Sequence, residues 1–124
     1  MDSKTIKELE NDAEGLAIYE YIANNIDCSE DDMNFLVLNL LRADSTGQFM
    51  VSAACYLHAV DAERFRNLID RLVSGAITAD RERRYIGELL TGLYGENYRE
   101  RVDELNASDD NFRRIYKRKF PIGF

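Results

Sequence analysis

Apolar residues recur at three- and four-residue intervals along most of this chain, and no segment sustains a period-two alternation or a hairpin signal. The pattern predicts a succession of helices. The first runs from about Ser3 to Ile26, where Ile6, Leu9, Ala13, Leu16 and Ala17 share a face and Ile18, Tyr21, Ile22 and Ile26 continue it. Gly15 is the expected point of kinking or splitting. The second helix starts after Ser29, an N-cap followed by Glu30, Asp31 and Asp32, whose charges complement the positive helix end. Met33, Leu36, Val37, Leu40 and Leu41 form its stripe, and Phe35 and Leu38 widen it nearly all round. That breadth predicts a central helix.

The third helix follows Asp44-Ser45-Thr46-Gly47, with Ser45 and Gln48 at capping-box spacing. It is apolar from Phe49 to Val60, and Ser52, Ala53, Ala54 and Ala59 permit close contacts. It is the second candidate for the centre. A fourth helix begins at Asp61, presents Phe65, Leu68, Ile69, Leu72 and Val73, and is expected to stop at Gly75. A fifth starts near Thr78 or Asp80 and ends at Gly95, with Ile86, Leu89, Leu90, Leu93 and Tyr94 on its face. Gly87 and Gly92 inside it each cost about 1 kcal/mol relative to alanine, which points to close packing against another backbone, with the approach of a ligand as the alternative. A short helix is expected near residues 97–105. A last one is capped by Ser108 and stopped by Pro121, with Phe112, Ile115, Tyr116 and Phe120 apolar and the tail Ile122-Gly123-Phe124 docking on the body or on a partner. The stripes start at unequal intervals and give no fixed repeat. The expectation is one all-α domain over residues 1–124, a compact bundle of six or seven helices with short loops.

Composition supports this picture. One proline in 124 residues leaves the backbone donors between residues 2 and 120 uninterrupted. The apolar fraction is 45% and the charged fraction 31%, which describes a globular chain rather than a disordered one. Cys28 and Cys55 lack metal-ligand spacing and are expected to be reduced, with a disulfide between them as the alternative. No basic-then-apolar leader opens the chain, and the longest apolar stretch falls far short of the ~20 residues of a membrane span, so a cytoplasmic protein without a membrane contact is expected.

Charge adds the main functional clue. Residues 1–60 hold 11 acidic and 3 basic side chains, and residues 61–124 hold 12 and 13. Candidate catalytic chemistry is thin. His58 stands alone, with Asp61 one helical turn away and no nucleophile signature. Asp27, Glu30, Asp31 and Asp32 lack the glycine and alternating ligands of a calcium loop, the Glu-x-x-His pair of di-iron bundles is missing, and no glycine-rich phosphate loop occurs. No enzyme, metal or cofactor is therefore expected.

Binding is the remaining class. Glu8, Glu10, Asp12, Glu14, Glu20, Asp27, Glu30, Asp31 and Asp32 place nine carboxylates within 32 residues, opposed locally by Lys4 and Lys7 alone. Such a field confers solubility by itself, and it also speeds association with a basic partner. The leading expectation is a non-enzymatic protein-binding module, in one version an inhibitor or immunity-type protein that covers the cationic channel of a toxin or nuclease. Its contacts would be Glu10, Asp12, Glu14, Glu30, Asp31 and Asp32. The alternative is a nucleic-acid-associated regulatory module using Arg113, Arg114, Lys117 and Arg118 on the last helix, with Arg81 and Arg84 as a further anion-binding pair. Net charge −7 disfavours nonspecific polyanion binding. Pairing of basic side chains within the chain, and self-association of acidic with basic halves, are the other outcomes.

Overall fold

A computed structural model describes residues 1–121; the expected docking of Ile122, Gly123 and Phe124 lies outside them. The described chain is all-α. It comprises α1 (Ser3–Glu10), α2 (Leu16–Asn24), α3 (Glu30–Ala43), α4 (Gln48–Asp61), α5 (Arg66–Ala79), α6 (Gly87–Tyr94), a 3-10 turn (Tyr98–Arg101), α7 (Val102–Ser108) and α8 (Asp110–Lys119). The eight α-helices exceed the expected six or seven because Gly15, at φ +101°, splits the first predicted helix.

The helices are joined in pairs by a recurring loop. An aspartate ends the first helix, its carboxylate turns back to cap the second, and the residue three positions later has a positive φ. Asp44 is the fullest case. Its Oδ1 accepts from the Thr46 N–H and hydroxyl and from Gly47 N–H at 3.0–3.1 Å, and its Oδ2 accepts from Phe49 and Met50 N–H at 2.9 Å. Asp12 likewise takes the N–H groups of Glu14, Gly15 and Ile18, and Asp80 those of Arg84, Tyr85 and Ile86. A carboxylate suits the position because it offers several acceptor sites and its charge opposes the helix dipole. Gly15, Gly47 and Arg83 occupy the left-handed position. The loops also stack. A Cβ on Gly15 would lie 3.2 Å from Asp44 Cβ, and one on Gly47 would lie 3.2 Å from Asp80 Cβ. The sequence does repeat, then, in its loops rather than in its stripe intervals. Asp109 starts a fourth, shorter version by capping α8 at Phe112 N–H.

Stacking the loops stacks the helices. α2, α4, α6 and α8 follow one another as neighbours in one layer, and α3 and α5 pack beside each other in a second. α4 touches α2, α3, α5 and α6 and forms the centre. Its Val51, Ala53, Ala54 and Leu57 are fully buried. α3 is not central as its breadth predicted: Leu38 is 53% exposed, and Phe35 is only half-buried. One continuous apolar core runs from Leu9 to Ile115. α8 closes it through an aromatic row, with Phe112 edge-on to Tyr94 at 5.0 Å and stacked on Tyr116 at 5.4 Å.

Several local expectations are corrected. Gly75 lies inside α5, which runs on to Ala79, because a glycine there lets Leu41 of α3 and Met50 of α4 approach; a Cβ would meet them at 2.5 and 3.0 Å. Asp61 ends α4 and caps the following turn at Arg64 N–H, so α5 begins only at Arg66. Thr78 belongs to α5, and Gly87 opens α6. Asp44 rather than Ser45 takes the capping N–H groups of α4, and Asp109 rather than Ser108 caps α8. Both cysteines are free.

Candidate functional site: an acidic edge and a trough

The predicted acidic residues separate into two groups. The Met1 amino group lies 3.6 Å from Asp32, and Arg42 donates to the Leu9 carbonyl, so α1 runs parallel to α3 along its length. Glu10, Asp12 and Glu14 therefore sit beside the C-terminal end of α3, and Glu30, Asp31 and Asp32 form its N-terminal turn. The rise of α3 between these ends is about 17 Å.

Asp12 is withdrawn from the predicted contact set because its oxygens are occupied by the α2 cap. Burial works against its charge, but the Ile18, Gly15 and Glu14 N–H groups outweigh burial and hold its pKa below the usual carboxylate value. Asp32 is half-buried and faces the Met1 amino group. Glu10, Glu14, Glu30 and Asp31 are exposed and form no ion pair among the described residues; the same holds for Glu8, Glu20 and Asp27.

The predicted basic sites differ in kind. Arg118 and Lys119 reach across to the Arg81 and Arg83 carbonyls, at 3.4 and 3.0 Å, and so cover the end of the loop stack. Arg113 pairs with Asp110 and donates to the Asn106 carbonyl. Arg114 is shared among Asp110, Ser74 and Asn111. Arg84 pairs with Glu82 at 2.6 Å. Arg81 and Lys117 are exposed and unpaired among the described residues. The basic half is thus largely consumed by the fold, and the acidic half is not.

His58 is half-buried beside a depression shared with Tyr94, Asp70 and Asp109. The polar groups there serve one another. Tyr94 donates to Asp109 at 2.9 Å, and Asn111 donates to Asp70 at 2.7 Å. Burial and the Asp109 hydrogen bond push the Tyr94 phenol up, which keeps it protonated. Asp61, one helical turn from His58, accepts from Arg64 N–H. Cys55 is pushed up to about 11 by burial and by the Glu88 carboxylate, a direction opposite to that of a nucleophilic thiol. No group of three or more potential metal ligands occurs among the described residues. No described helix is long and apolar enough to cross a membrane.

A trough between α3 and α5 escaped the sequence reading. It consists of two hollows, of about 670 and 730 Å³, that share Leu38 and Arg71. Its signal was legible only as an excess: Leu38 widened a stripe that the core had already filled. Compared with known protein families, curated proteins and solved structures, the chain matches none.

Proposed function

We propose that this protein is a non-enzymatic protein-binding module whose acidic N-terminal edge engages a basic surface of another protein. The supporting observation is the asymmetry of pairing: Glu10, Glu14, Glu30 and Asp31 stand exposed and unpaired among the described residues, while most basic side chains of the C-terminal half are bound within the fold. Unpaired carboxylates spread over about 17 Å give an extended negative strip, which steers a cationic partner and aligns it. One concrete form is an inhibitor or immunity-type protein, which neutralises a basic toxin or nuclease by covering its cationic channel. The mechanism is steric and electrostatic and needs no reacting group.

A pull-down from source lysate at low and moderate salt, with and without nuclease, tests the proposal. The expected result is a stoichiometric basic protein that survives nuclease and weakens with salt. The variant Glu10→Lys/Glu14→Lys/Glu30→Lys/Asp31→Lys should lose it. Recovery of nucleic acid, or of proteins lost on nuclease treatment, would overturn the proposal and favour Arg113, Arg114, Lys117 and Arg118.

A further inference from the structure

The trough between α3 and α5 is a second surface, independent of the acidic edge. Its N-terminal half is bounded by Asn34 and Leu38 of α3 and by Arg64, Asn67 and Arg71, and its C-terminal half by Leu38, Leu41, Met50 and Gly75. Matching ends of α3 and α5 line each half, so the two helices run parallel and the trough follows both. From Asn67 to Thr78 it extends about 17 Å, the length of a three-turn helix. At Gly75 the side chains of Leu41 and Met50 fill the place a Cβ would take, which gives the C-terminal half an apolar floor.

Arg71 supplies the polar requirement. It lies where the two halves meet, is exposed, and has no hydrogen-bond or ion-pair partner among the described residues. The adjacent Asp70 is tied to Asn111 of α8 at 2.7 Å. Arg64 lies over the Phe65 ring at 4.8 Å, with Glu30 across the open end; Asp44, at the other end of α3, also lines the trough, but its oxygens are taken by the α4 cap. An unpaired guanidinium beside apolar side chains is matched by a carboxylate next to an apolar stripe, since the two oxygens accept in its forked geometry. We infer that this trough binds an amphipathic helix of a partner protein, with its apolar stripe on Leu38 and Leu41, over the buried Met50, and a glutamate or aspartate on Arg71.

Two synthetic 16-residue amphipathic helices test this. They share a leucine stripe and differ by glutamate or lysine at the position opposite Arg71. Binding is read by fluorescence anisotropy, and location by amide chemical-shift changes. The glutamate peptide should bind at least tenfold more tightly and shift the amides of Leu38, Leu41, Arg71 and Gly75. Arg71→Glu should reverse the preference. Leu38→Glu, at a position exposed enough to leave the fold intact by circular dichroism, should abolish binding of both peptides. Asp31→Lys should leave the glutamate peptide's affinity within twofold, which separates this surface from the acidic edge. Equal binding of both peptides, shifts elsewhere, no binding at millimolar peptide, or palmitate shifting these amides when neither peptide does would each overturn the inference.

Discussion

Cys55 and Gly92 meet where α4 crosses α6. A Cβ on Gly92 would collide with the Cys55 Sγ and lie 3.2 Å from its Cβ, so the glycine that weakens α6 locally is what lets α6 seat on α4. The thiol meanwhile points at the Glu88 carbonyl, 3.8 Å away. Gly92→Ala should destabilise by about 2 kcal/mol, because overpacking outweighs the better helix propensity. In a chain of this size that lowers Tm by about 8 °C. In a Cys55→Ala background the same change should be nearly neutral. Urea unfolding of the four-member cycle measures the coupling, and additive effects would remove the contact as the cause. Gly87 answers to a different neighbour: its added Cβ would lie 3.1 Å from Lys119 Cε. Neither glycine needs a ligand to explain it.

At the scale of elements, the capping loops decide where helices begin and how they stack. Asp44 is 3% exposed and accepts hydrogen bonds from four backbone N–H groups and one hydroxyl. Removing it strands buried donors, each costing about 1–3 kcal/mol where water does not reach. Asp44→Ala should therefore destabilise by about 3–4 kcal/mol, well beyond the ~1 kcal/mol of an ordinary exposed cap such as Ser29→Ala. Chemical denaturation of the two variants compares them, and equal losses would demote the loop to simple capping. The Asp-x-x-Gly spacing at Asp12 and Asp44 was present in the sequence. It was hidden at Asp80 because Arg83 stands in the left-handed position. That third loop is covered by α8 rather than by another loop, and Lys119 takes the Arg83 carbonyl.

For the whole molecule, the two charge populations have different roles. In the C-terminal half Arg118 and Lys119 tie α8 to the end of the loop stack, and on the N-terminal edge Glu10, Glu14, Glu30 and Asp31 have no ion-pair partner among the described residues. Stability should respond accordingly. Glu10→Lys/Glu14→Lys should change the unfolding free energy by no more than about 0.5 kcal/mol, the usual range for unpaired surface sites. Arg118→Ala/Lys119→Ala should cost about 1–2 kcal/mol through the two lost carbonyl contacts. Thermal and urea unfolding at moderate salt check both. A larger loss from the acidic pair than from the basic pair would reverse this assignment.

The succession of helices and a few of their ends, such as the Ser29 cap and the stop at Gly95, followed from the sequence alone, because a 3.6-residue apolar period and a side-chain acceptor at a helix start act over a few residues; the caps of α4, α5 and α8 did not. Ser29 and the stripes of α3 and α4 are such cases, and so is the break at Gly15. Layer position was not local. α3 and α4 look equally apolar, and only stacking put α4 in the centre and left Leu38 on the rim of a trough. The fate of charge was not local either. Lys117 and Lys119 are alike in sequence, but folding carries Lys119 to the Arg83 carbonyl, 36 residues away, and leaves Lys117 in solvent. Sequence fixes which side chains carry charge and apolar surface; tertiary contacts over tens of residues decide which of them remain free to bind.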